Sequence, residues 1–275
     1  MVGDTMSSFV TSLVAGGSAG LVADVTMYPM DTIKTRLQGK EGLRLLGGFN
    51  NLFKGIGPVV VGSVPHAALF FCTYDSAKSL SEKMALNVSD SFIQMGAASL
   101  GELVACGVGV PVEVVKQRRQ VSHISSFKIV EQIWRSDGGK GFYRGFQTTL
   151  SREIPFGLIQ MPIWEQLKKK WERIAGRKLH ATESALCGAL GGVVASVITT
   201  PLDVVKTRIM LAKKSLGAKQ VLTTIYRDEG LGSLFAGVLP RTVTIALGGV
   251  IFFGVYEQVK LQRKTEKKNS NILNR

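Results

Sequence analysis

The chain has 275 residues, 20% of them charged, yet its mean hydropathy is +0.18, a combination foreign to most soluble globular domains. Its net charge of +14 is scattered between apolar stretches instead of gathering in one aromatic-studded patch, which excludes nucleic acid as the expected partner. The three cysteines, Cys72, Cys106 and Cys187, lie singly in apolar stretches, and there is no P-loop, GxSxG turn or cluster with metal-ligand spacing, so a disulfide framework, a metal site, a bound cofactor and an enzyme are not expected.

Six apolar spans follow one another, at 7–28, 55–74, 91–112, 145–164, 184–202 and 237–256. A helix of about 20 residues rises about 30 Å, the thickness of a hydrocarbon core. The first span contains one charge, Asp24, and no small-residue cleavage site, so it reads as a crossing and not as a secretory signal. The third contains Glu102, the fourth Arg152 and Glu153, and the sixth Arg241. Small residues four apart, Gly16/Gly20, Ala97/Gly101 and Gly188/Gly192, suit close helix packing in lipid and say nothing about cargo.

The spans come in pairs, and each pair carries the same phrases. A proline, an acid two residues on and a base three further recur as Pro29-x-Asp31-x-x-Lys34-x-Arg36, Pro111-x-Glu113-x-x-Lys116-x-Arg118 and Pro201-x-Asp203-x-x-Lys206-x-Arg208. An aromatic, an acid and a base close each unit as Tyr74-Asp75-x-x-Lys78, Trp164-Glu165-x-x-Lys168 and Tyr256-Glu257-x-x-Lys260. Between them stand Phe53-Lys54-Gly55, Tyr143-Arg144-Gly145 and Phe235-Ala236-Gly237; the first unit has a shortened central loop. The chain is therefore a triplicated unit. Its expected domains are repeats at 1–85, 86–178 and 179–263, followed by a basic polar tail at 264–275.

A proline inside a helix kinks it, and three kinked helices bring each acid toward the base of another unit. The expected ring joins Asp31 with Lys116, Glu113 with Lys206 and Asp203 with Lys34. A second ring at the opposite end would join Asp75 with Lys168, Glu165 with Lys260 and Glu257 with Lys78. Exposed ion pairs contribute about 0–1 kcal/mol each, a strength that suits two rings opening alternately around a central site. Static rim bridges are the plainer reading.

The triple Pro-x-Asp/Glu-x-x-Lys-x-Arg phrase with its aromatic-basic-Gly marker resembles the mitochondrial carrier family over nearly the whole chain. The resemblance implies an all-α membrane protein of six transmembrane helices, arranged as three two-helix repeats with pseudo-threefold symmetry and short matrix helices. It further implies a multi-pass place in the mitochondrial inner membrane, solute transport, contact with membrane lipid including cardiolipin, and a functional monomer. The first ring would be the matrix gate and the second the cytoplasmic gate. Trp164 stands in place of the usual tyrosine, Ala236 in place of a base, and repeat one lacks the acid that Asp137 and Glu229 supply in the other two.

Residues that recognise an asymmetric solute should break the threefold pattern. Thirteen residues before the closing acid stand Gly62, Arg152 and Thr244, with Glu153 beside Arg152; a turn away on the same stripes stand Arg241, His66 and Phe156. Asp24 and Glu102 break the pattern on the first helices of their units. An ionisable residue within a span faces water or a partner, so these nine are the expected cargo site, with mutual pairing such as Arg152 with Glu102 or Asp24 with Arg241 as the plain alternative. Three acids against two bases favour a cationic or zwitterionic amino-acid-like solute over a nucleotide or a di-acid. A membrane scaffold or proton pathway is the reading from another class, against which the asymmetric Arg-Glu pair argues.

Overall fold

In the computed structural model the described residues are 2–84, 90–212, 216–248 and 251, and their regular structure is all helical. Three long–short–long units appear in chain order: α1 (Val2–Gln38), α2 (Gly42–Leu45) and α3 (Ile56–Lys83); α4 (Asp90–Val121), α5 (Ser126–Asp137) and α6 (Phe146–Ala175); α7 (Ala181–Leu211), α8 (Ala218–Asp228) and a helix α9 described over 238–248. Short 3-10 turns, Gly138–Tyr143 and Leu231–Phe235, lead into α6 and α9. The shortened loop of repeat one appears as a four-residue α2, against 12 residues in α5 and 11 in α8. The boundary expected at 85/86 and the tail at 264–275 lie outside the described residues.

Among the described residues, Ile56–Ser81, Gly96–Val121, Thr182–Leu211 and Leu231–Gly248 are long and apolar enough to cross a membrane. The other two expected spans fall within α1 and α6, and the Arg152–Glu153 pair lowers the apolarity of α6. Large aliphatic side chains cover the outside, including Val61, Ile154, Leu158 and Leu239, each more than 60% exposed. Such a surface needs lipid. Helices approach closely across it: a Cβ on Gly101 would stand 3.0 Å from the Phe70 carbonyl oxygen, which fixes α4 against α3.

Pro29, Pro111 and Pro201 lie inside α1, α4 and α7, where a missing N–H leaves the carbonyl four residues earlier without its helical partner. At Pro111 that carbonyl belongs to Gly107, and the Tyr143 hydroxyl donates to it at 3.1 Å. Beyond the prolines, α1, α4 and α7 touch one another, and the short helices cover them from below. Ile129 and Ile133 of α5 pack with Val110, Val114 and Met210, while Val221 and Ile225 of α8 pack with Val204 and Ile209. The densest core is therefore at the end that carries the short helices.

Each short-helix region holds an arginine in place, two with an acid and one with peptide oxygens. Arg208 forms a bidentate pair with Glu229 at 2.6 Å, and Arg144 meets Asp137 at 2.5 Å. Repeat one has no such acid; there Arg36, 1% exposed, donates to the carbonyl oxygens of Gly48 at 2.6 Å and Asn50 at 2.8 Å. The loop presents those carbonyls through left-handed turns at Gly47, Gly48 and Asn51. Hydrogen bonding from Arg208 holds the Glu229 carboxyl below its ordinary value of 4.5. Its contribution to stability is thus complete above that value and is lost as pH falls through the lowered one. Glu229→Gln is expected to melt earlier than wild type at neutral pH, with the gap narrowing in acid, as thermal unfolding across a pH series would read.

Candidate functional site

A cavity of about 540 Å³ opens between α1, α3, α4, α6 and α7. Six of the nine expected cargo residues line it: Asp24, Gly62, His66, Glu102, Arg152 and Glu153. The kinks aim these helices inward, and the helical register then sets which side chains meet the cavity. Glu113, Lys116 and Lys206 also line it. These three belong to the first ring, which closes the cavity at one end through three contacts of 2.8 Å: Lys116 with Asp31, Lys206 with Glu113, and Lys34 with Asp203.

The cavity charges are partnered unevenly. The Arg152 guanidinium meets the neighbouring Glu153 carboxylate, and its Nε lies 3.5 Å from Asp203 Oδ1 without forming a hydrogen bond. His66 Nε2 is 3.9 Å from Glu102 Oε1, and the Cys106 thiol points at that same oxygen from 3.8 Å. Asp24 has no ion-pair or hydrogen-bond partner among the described residues. The mutual pairings weighed above, Arg152 with Glu102 and Asp24 with Arg241, are not formed among the described residues.

Three expected wall residues are placed elsewhere. Arg241 sits in the first turn of α9, 3% exposed, and donates to Thr199 Oγ1 at 2.9 Å; it backs the ring and does not face the cavity. Its depth follows from the start of α9 at the densely packed end. Thr244 donates its hydroxyl back to the Pro240 carbonyl at 2.9 Å, and neither it nor Phe156 belongs to the cavity lining.

At the other end, no ion pair joins Asp75, Lys78, Glu165 and Lys168 among the described residues, and Lys168 Nζ instead stands 5.6 Å from the Trp164 ring centre. Glu257 and Lys260 lie outside the described residues. This conformation is closed at the first ring and unpaired between Asp75 and Lys168.

Sequence reasoning missed a further layer below the first ring. Arg36 Nε donates to the carbonyl of Gln120, Arg118 Nε to that of Met210 and Arg208 Nε to that of Gln38, a cyclic threefold set. Gln38 also donates to Asp203 Oδ2 at 2.8 Å and accepts from Thr207, while Gln120 donates to Thr32. The available signal was a glutamine two residues after the motif arginine in two of the three units.

Three kinked two-helix units around one axial cavity define a membrane solute carrier. The profile of the family described as "Mitochondrial carrier protein" matches residues 5–46, 43–85, 88–174 and 177–267, and the chain belongs to that family. It is a transporter, multi-pass in the mitochondrial inner membrane, with the six-span carrier fold. The chain is 48% identical over 258 residues to the mitochondrial S-adenosylmethionine carrier protein of Xenopus tropicalis, covering 92% of this chain and 96% of the relative. The Mus musculus protein of the same name is 48% identical over 258 residues, covering 92% and 94%. The putative mitochondrial carrier protein PET8 of Saccharomyces cerevisiae is 43% identical over 268 residues, covering 92% and 94%.

Proposed function

We propose that this carrier imports S-adenosylmethionine into the matrix in exchange for S-adenosylhomocysteine, by alternating access between the two ion-pair rings. The observation that carries the reading is the cavity's charge. Leaving aside the paired ring, its wall holds Asp24, Glu102 and Glu153 against one base, Arg152. S-adenosylmethionine presents a sulfonium, an ammonium and a carboxylate, a net cation with one anionic end. Arg152 takes the carboxylate in a bidentate fork, Glu153 or Glu102 the ammonium, and Asp24 the sulfonium. His66 or Phe70 contacts adenine, with Gly62 beside them on the same wall, while Phe156, Thr244 and Arg241, though nominated by asymmetry, stay outside the cargo site.

In this scheme the first ring is the matrix gate, and Asp75, Lys78, Glu165, Lys168, Glu257 and Lys260 form the cytoplasmic gate. The conformation described above then opens toward the intermembrane space. A single chain contains the whole site, so a monomer suffices, with cardiolipin among its lipid neighbours. The test is uptake of labelled S-adenosylmethionine into liposomes holding the purified protein, preloaded with S-adenosylhomocysteine or left empty. Uptake stimulated by preloading is expected. Folded protein that takes up none would reject this cargo and turn the search to other cationic or zwitterionic amino-acid-like solutes.

A further inference from the structure

The three corners of the first ring are unequal. Asp31 and Glu113 have side chains 29% and 30% exposed, so water can solvate them when their lysines leave. Asp203 is 3% exposed and has no such recourse. It lies within 4 Å of three cations: Lys34 at 2.8 Å, Arg152 at 3.5 Å and Arg241 at 3.9 Å. Among the described residues, each of the other ring acids has one.

What carries those cations differs. Lys34 stands on α1 in repeat one, and Arg152 on α6 in repeat two. Arg241 stands on α9 in Asp203's own repeat, and its guanidinium is tied to α7, the helix of Asp203, through Thr199 at 2.9 Å and Thr200 at 3.5 Å. At the positions equivalent to Arg241, repeats one and two have Val59 and Thr149, which carry no charge. When the ring opens, Lys34 departs with repeat one, and a cargo carboxylate engages Arg152. Gln38, the last residue of α1, takes its hydrogen bond to Asp203 away with Lys34, so that but for Arg241 Asp203 would then be a buried carboxylate without a partner, the situation that makes breaking a buried pair costly.

We propose that Arg241 is a positioning residue for gating: it travels with Asp203 and compensates its charge as Lys34 leaves, so that the corner between repeats one and three can part. The inference rests on reading the first ring as the matrix gate. It accounts for an arginine that breaks the threefold pattern without reaching the cavity.

The test compares exchange of S-adenosylmethionine by wild type, Arg241→Gln and Arg241→Lys in liposomes. Arg241→Gln is expected to lower the maximal rate about tenfold, the cost of roughly 1.4 kcal/mol at the opening step, with KM within about twofold. Arg241→Lys keeps the charge and is expected to restore at least a third of the rate. A wild-type rate in Arg241→Gln, or equal impairment in both folded variants, overturns the proposal; so does a KM rising in step with the fall in rate, which would put Arg241 in the cargo site. If Arg241→Gln does not fold, Arg241→Lys decides alone, and a tenfold loss in it counts against the idea. Wild-type protein without uptake sinks the cargo reading first, before any variant is compared, and this inference with it.

Discussion

Glu153→Gln is expected to lower S-adenosylmethionine uptake about 10- to 100-fold while the protein melts close to wild type. A hydrogen bond to a charged group contributes roughly 1.5–3 kcal/mol, and each 1.4 kcal/mol is about a factor of ten. The substitution removes one acid from a cavity whose wall holds one base outside the ring, Arg152, so the positively charged cargo loses a counter-charge. The fold should survive because Arg152 keeps Asp203 as a neighbour at 3.5 Å and Glu153 is itself half-buried, not enclosed. Near-normal uptake by the folded variant would remove Glu153 from the site.

Asp203→Asn should strike stability instead. It leaves Lys34, Arg152 and Arg241 without the carboxylate they share, and one amide oxygen remains where two carboxylate oxygens served these cations and Gln38. Removing one partner of a buried ion pair costs about 3–5 kcal/mol. For a chain of this size that is a fall in melting temperature of about 10 °C. Asp31→Asn is the internal control, because its side chain is 29% exposed and loses one lysine only. Thermal melting in detergent would separate the two; equal falls would mean that the three corners are equivalent after all.

The repeat phrases made the architecture legible, because proline, acid and base at fixed spacing specify a kink and two charges on one helical turn. Hydropathy located the spans for the same reason that lipid demands them. Within the site, broken symmetry picked out Arg152, Glu153, Glu102 and Asp24, since a charge inside a span must have a reason. It could not separate a cavity wall from the layer behind it. Arg241 breaks the pattern as plainly as Arg152, yet the start of α9 directly after Gly237 places it against Thr199 and Thr200. The arginine-to-carbonyl layer was illegible for a different cause: backbone acceptors leave no residue signature, so a partner such as the Met210 carbonyl is invisible in the letters.

The caged Arg36 sets a rule for re-engineering this chain. In repeats two and three Arg144 and Arg208 each have an acidic side chain, Asp137 and Glu229, which can follow a loop that changes length. Repeat one uses the peptide oxygens of Gly48 and Asn50, whose positions are defined only by the path of that one loop. An epitope or fluorophore inserted between 47 and 51 would strand a guanidinium that is 1% exposed, whereas in the connection between α7 and α8 the arginine-bound peptide oxygen among the described residues is that of Ala212, at the end of α7, so an insertion placed after it leaves the contacts of Arg118 and Arg144 in place. Reporter insertions, and the natural length variation of descendants of this gene, should accordingly accumulate in the later repeats and spare the first.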